Sequence, residues 1–327
     1  MKAIVLAAGF GTRLKPLTEN RSKVTLALAE VPVVVRVIRL LRDFGVDEIA
    51  VNLHHAPDSV REAVESCGER VTFSHETEIL GTGGALWGAR DFLAGSRVLM
   101  INGDCYYGAP DLGAALRFHE SRGSLATMVL VDMPKGENYR GVETAPDGRL
   151  LKIAGRPESN KGGCSTLHFT GIHILEPEYL GRIGAGFSDI NSRHHVEAIA
   201  AGLPVFGYHT NFPCYDLGTP SRFLAAAREL IQAGDGGLAP ERTVIIGPGC
   251  EIDPTATITG PAELGAGCRL GAGCKVERAV LLEGVTLEPG SRVVDSLLGD
   301  GVRVTDGMSL QNAAVADVNG EIVVNRW

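Results

Sequence analysis

At 327 residues, 44% of them hydrophobic and 21% charged, the chain is an ordinary globular one, long enough for two domains. Its net charge of −8 argues against a nucleic-acid-binding face, which needs a basic stripe, and no apolar run approaches the roughly 20 residues of a membrane span. Seven scattered cysteines with no CxxC pair argue against a disulfide framework or a zinc site and fit a reducing cytoplasm.

The first element is an apolar run at residues 3–8, which predicts a buried strand. Its apolar core behind Lys2 is shorter than the ~7–15 residues of a signal peptide. Helical spacing follows over 33–44, then a strand at 48–53, a helix at 57–67, a strand at 71–75, a helix at 84–92 and a strand at 98–102. Residues 125–175 carry further, less regular strands, and 221–232 read as a helix. This alternation predicts an α/β fold: a Rossmann-like, mostly parallel sheet with helices on both faces.

Near Ala233 the pattern changes, with Gly234, Asp235, Gly236 and Gly237 reading as part of a linker over 234–243. Beyond it an apolar residue recurs every six positions: Ile246, Ile252, Ile258, Leu264, Leu270 and Val276. A smaller residue follows each by four, including Cys250, Cys268 and Cys274. A sixfold period suits neither a helix nor a hairpin; it suits a parallel β-helix with one hexapeptide per side, over 244–327. Past Val276 the period slips. The three cysteines read as small inward-facing residues.

The first strand breaks into Gly9-Phe10-Gly11-Thr12-Arg13-Leu14. A dinucleotide fingerprint would need glycine at position 14, and a Walker A loop would need Gly-Lys-Ser/Thr at 14 to 16, so both fail. A glycine turn at a strand end remains, either merely structural or an anion cradle with Arg13 beside it.

The longer stretch AAGFGTRLKPLTENRSK resembles the signature of the sugar-1-phosphate nucleotidylyltransferases. The resemblance continues at LGTGGA (residues 80–85), NGD (102–104), FTGIHIL (169–175) and YDLGTP (215–220). Many members carry a left-handed β-helix tail, and LGTGGA is closest to the mannose-1-phosphate guanylyltransferase branch. The resemblance implies a nucleotidylyltransferase domain over 1–233 and transfer of a nucleotidyl group from an NTP to a hexose 1-phosphate, mannose-type favoured. The nucleophile is already a phosphate oxygen, so catalysis reduces to alignment and charge neutralisation, without a general base.

On the same ground, Leu6, Ala8, Gly9, Gly11, Thr12 and Arg13 are nucleotide-binding, as are Gly81, Thr82 and Gly84. Arg13 and Lys23 are the catalytic cations, and Gly141, Arg156 and Gly171 serve the sugar phosphate. Asp104 and Asp216 hold Mg²⁺, the implied cofactor. The implied partners are the NTP, the sugar 1-phosphate and further copies of this chain joined through the β-helix, with no nucleic acid or membrane.

Four positions depart from the family pattern. Ser22 replaces a proline, Val31 replaces a second lysine, and Gly155-Arg156 replaces Glu-Lys, exchanging a carboxylate for none and an ammonium for a guanidinium. The pairs His54-His55 and His194-His195 lack spaced partners for a metal and read as surface or packing residues. Retention of Arg13, Lys23, Asp104 and Asp216 favours an active enzyme over a nucleotide-sugar-sensing regulatory subunit. An acyltransferase tail is set aside, because no histidine follows His209.

Overall fold

The computed structural model describes residues 1–136, 139–157, 165–234 and 243–327. It divides into two compact units: residues 1–9, 34–57 and 64–214 form the first, and 10–33, 58–63 and 215–327 the second. All but the two ends of the 234–243 linker lies outside the described residues.

The first unit is built on a nine-stranded sheet. Its strands are β1 Lys2–Leu6, β2 Ile49–Leu53, β3 Thr72–His75, β4 Val98–Asn102, β5 Ala126–Val131, β6 Val142–Thr144, β7 Leu150–Ile153, β8 Ser165–Leu175 and β9 Val205–His209. The order is β7-β6-β8-β4-β1-β2-β3, with β5 also on β8 and β9 on β5. The core β4-β1-β2-β3 is parallel, and β1 and β2 are almost wholly buried, as apolar runs in a covered parallel sheet should be. In contrast, β8 runs antiparallel to β4, β5 and β6. Apolar runs carry no strand direction, so the sequence could not show this mixed half. Ile4, Ala50, Leu86, Met100, Met128, Tyr179 and Ile190 belong to one core cluster.

One helix boundary differs from expectation. The element expected at 84–92 is a helix over Gly81–Gly88 followed by a short one over Arg90–Leu93. Glycine's low helix propensity hid a first turn made largely of glycines.

The second unit contains the β-helix, whose three sheets are stacked coil upon coil in parallel register. Ile246 pairs with Leu264, a step of 18 residues. From there Leu264 pairs with Leu281, Leu281 with Leu298 and Leu298 with Val315, each a step of 17. The slip past Val276 is therefore a regular shortening of one side from six residues to five. Arg278, Asp295 and Asn312, 17 apart, turn that corner with φ of 50°, 45° and 48°. A single left-handed residue makes a tighter corner than a longer connection would. Arg278 reinforces it, donating from Nε and Nη2 to the two carboxylate oxygens of Asp295 at 3.0 and 2.8 Å.

Cys268 and Cys274 are fully buried in the coil core, with Cys250 packed against it. Ile246, expected inside, is 51% exposed. Its strand is the edge of its sheet, so a coil covers it on one side only.

Candidate active site

Within the second unit, Gly11 takes a left-handed φ of 65° that ends the turn and starts a one-turn helix over Thr12–Leu14. The Gly11 carbonyl accepts from Leu14 N–H at 2.9 Å and from the Thr18 hydroxyl at 2.9 Å. A Cβ on Gly11 would stand 3.1 Å from Cβ of Lys23, so the turn and Lys23 are immediate neighbours. Among the described residues, the backbone N–H groups of Gly11, Thr12 and Arg13 have no acceptor. Three successive unspent donors on an exposed turn form a concavity suited to an anion.

Arg13 leans on Asp216, Nη2 to Oδ2 at 3.5 Å. Arg222 reaches the same oxygen at 3.2 Å, and Gly218 N–H donates to Oδ1 at 2.8 Å. A Cβ on Gly218 would stand 2.4 Å from Arg13 Nη2 and 2.8 Å from Asp216 Oδ1, so a side chain there would push the pair aside. The YDLGTP motif thus gathers its carboxylate around the turn's guanidinium. Asp216 suits a hard cation such as Mg²⁺, which favours carboxylate oxygens and completes its shell with phosphate and water. Of roughly four acceptor directions on a carboxylate, Arg13, Arg222 and Gly218 leave one. Among the described residues, no three His, Cys, Asp or Glu side chains form a cluster able to hold a metal.

In the first unit, candidate residues collect at the carboxyl ends of the parallel strands. The chain runs from β1 out to β2 and β3, then returns to β4 on the other side of β1. Ligands of open α/β sheets bind in the crevice at such a reversal. Leu6 ends β1, and its carbonyl accepts from Gly103 N–H at 2.8 Å, holding the NGD segment and Asp104 against β1. Gly171, at φ 90° where the β8 register shifts, leaves no room for a Cβ, which would stand 2.7 Å from Asn102 Cγ. Leu6, Asp104 and Gly171 are thereby brought together.

The sequence reading missed a buried strut beside them. Ala7 N–H, next to Ala8 and Gly9, donates to Asn52 Oδ1 at 2.7 Å. Asn52 Nδ2 donates to Glu76 Oε1 at 2.7 Å, and Leu80 N–H to Glu76 Oε2 at 3.0 Å. Both side chains are 3% exposed. A neutral amide and a carboxylate thus tie the end of β1 to the start of the LGTGGA helix. A polar residue inside the apolar run at 48–53 was the available signal for Asn52; Glu76 had none.

The LGTGGA glycines have a packing reason. Gly83 and Gly84 N–H donate to the Ser188 carbonyl at 2.9 and 3.3 Å. A Cβ on Gly81 would stand 2.5 Å from that carbonyl, and one on Gly83 would stand 2.5 Å from Ser188 Oγ. Thr82 donates to Asp189 Oδ2 at 2.9 Å. Burial alone would raise the Asp189 carboxyl, but hydrogen bonds from Ser192 and Thr82 outweigh it and hold the group below its ordinary range.

Arg156 is exposed on a tight turn whose central residues, Ala154 and Gly155, have φ of 52° and 79°. Ala154 N–H donates to the Gly141 carbonyl at 2.9 Å, which joins two of the three sugar-phosphate candidates. Of the paired histidines, His195 is fully buried and bonded to Tyr179 and His173, a packing role; His194 is 9% exposed.

The nucleotidyl transferase family profile matches residues 2–232. The chain belongs to that family. A second profile, the GMPPB C-terminal domain, matches residues 241–326. The chain is 30% identical over 277 residues to the mannose-1-phosphate guanylyltransferase catalytic subunit beta of Dictyostelium discoideum, covering 79% of this chain and 73% of that protein. It is 28% identical to mannose-1-phosphate guanylyltransferase 1 of Arabidopsis thaliana (91% and 86% covered). It is 27% identical to the UTP–glucose-1-phosphate uridylyltransferase of a Synechocystis strain (91% and 87%).

Proposed function

We propose that this member transfers a nucleotidyl group from an NTP to a hexose 1-phosphate, mannose 1-phosphate favoured, releasing pyrophosphate and an NDP-sugar. The observation that carries the reading is the exposed turn with three unspent N–H donors at Gly11, Thr12 and Arg13. These donors bind the triphosphate. Arg13 exchanges its Asp216 partner for the leaving pyrophosphate, where negative charge grows, and Lys23 adds a second cation from beside the turn. Gly171 and Arg156 receive the sugar phosphate, whose own oxygen attacks without a base. Asp104 and Asp216 are the proposed Mg²⁺ carboxylates, and the metal when bound neutralises phosphate charge. Two of the three relatives named above carry mannose in their names, which supports the sugar preference. We also infer a homo-oligomer joined through the β-helix.

The test is a panel of GTP, UTP, dTTP and CTP against mannose and glucose 1-phosphates, scored by pyrophosphate release. Mg²⁺-dependent release with mannose 1-phosphate is expected. Release only with glucose 1-phosphate overturns the sugar preference, and none with any pair overturns the activity.

A further inference from the structure

The segment that carries Arg13 and Lys23 is held by the β-helix. Residues 10–33 fall in the same compact unit as the coils, and contacts from the coils reach it between the two cations and again beyond Lys23. Asn325 Nδ2, on the terminal strand Glu321–Arg326, donates to the Lys15 carbonyl at 2.8 Å. That carbonyl follows the Thr12–Leu14 turn directly. Gly299 faces Leu17 so closely that a Cβ there would stand 3.1 Å from Leu17 Cδ2.

Beyond Leu17, Asp300 pairs through Oδ2 with Arg21. Arg21 in turn donates from Nε to Thr25 Oγ1 at 3.1 Å and from Nη2 to the Thr25 carbonyl at 2.8 Å. Thr25 closes the one-turn helix Lys23–Thr25. Asp300 is oriented from its own side, since its Oδ1 accepts from Glu283 N–H of the preceding coil at 3.2 Å. Further along, Glu263, 1% exposed, accepts from Glu30 N–H at 3.1 Å.

From these contacts we infer that the β-helix is part of the catalytic apparatus: Asp300 and Asn325 are positioning residues that hold the phosphate turn and the Lys23 turn in place. A β-helix coil is fixed by its stacked neighbours, whereas an exposed glycine turn closed by single-turn helices has little rigidity of its own. Placing two cations to a fraction of an ångström therefore falls to the side chains that anchor the segment. The inference rests on the proposed activity for its rate consequence but not for its structural one.

The experiment compares the full-length wild type with Asp300→Ala and Asn325→Ala, both at exposed side chains. Hydrogen exchange is followed by mass spectrometry in peptides spanning 10–26 and in coil peptides, alongside kcat and KM for pyrophosphate release. Each lost hydrogen bond is expected to speed exchange in 10–26 and lower kcat by about tenfold. Coil exchange and NTP KM should change little, and Asp300→Glu should recover much of the loss. Wild-type exchange in 10–26 overturns the inference, as does faster exchange with wild-type kcat. A wild type that turns over no sugar phosphate counts against the proposed activity, and exchange in 10–26 then decides this inference by itself.

Discussion

Lowering the pH from 7.5 to 5.0 should weaken the first unit through one buried imidazole. His195 has no exposure; its Nδ1 lies 2.6 Å from the Tyr179 hydroxyl and its Nε2 3.2 Å from Nδ1 of His173. Burial, and then the neighbouring His194, pushes its pKa down to about 3. Burial, and then His195, pushes His173 well below the usual range too. An unfolded chain protonates histidine near 6.5. Because the folded value is depressed, the stabilisation is complete above that pH and is lost as pH falls from there toward about 3. At pH 5.0 the fold holds His195 neutral 1.5 units below its unfolded pKa, a loss of about 2 kcal/mol at 1.36 kcal/mol per unit. His173 adds to the same slope. The consequence reaches the site, because His195 closes the segment whose Ser188 and Asp189 bind the LGTGGA helix.

The assay is urea unfolding at both pH values in a Trp327→Phe background, which leaves Trp87, on that helix, as the reporter. His195→Gln can still accept from Tyr179 and donate to His173, but it cannot ionise. It should lose about 2 kcal/mol less than its parent between pH 7.5 and 5.0. An equal loss in both proteins would refute the reasoning.

Two further outcomes are expected. Lys23→Ala should cut kcat by roughly 10²–10³ while changing NTP affinity far less; equal losses in rate and affinity would make Lys23 a binding residue only. Gly81→Ala combines a φ of 71° with a Cβ 2.5 Å from the Ser188 carbonyl, so unfolding on Trp87 should show a loss of about 2–4 kcal/mol, and a neutral result would mean the 186–188 loop yields freely.

What the sequence by itself determined lies in features written locally. The strand-and-helix alternation through Asn102, the coil period from Leu264 to Val276 and the turn at Gly9 and Gly11 each depend on residues a few positions apart. Their side-chain periods follow directly from backbone geometry. The inward-facing cysteines were readable for the same reason. The motif resemblance singled out Arg13, Lys23 and Asp216; in the structure Arg13 pairs with Asp216, and Lys23 lies beside Gly11.

The tertiary structure alone decided which distant groups meet within each unit. Asn52 and Glu76, 24 residues apart, become a strut only because β2 and β3 lie side by side. Arg222 reaches Asp216 only after the YDLGTP turn doubles back into the helix Pro220–Ala233. The direction of β8 and the start of the LGTGGA helix were hidden for a related reason: apolar content does not encode strand direction, and glycine conceals a helix whose support comes from Ser188. The link from Asp300 to Lys23 spans 277 positions and has no periodicity to announce it. Such contacts depend on where coils and turns come to rest, and burial and hydrogen bonding settle that only once the chain has folded.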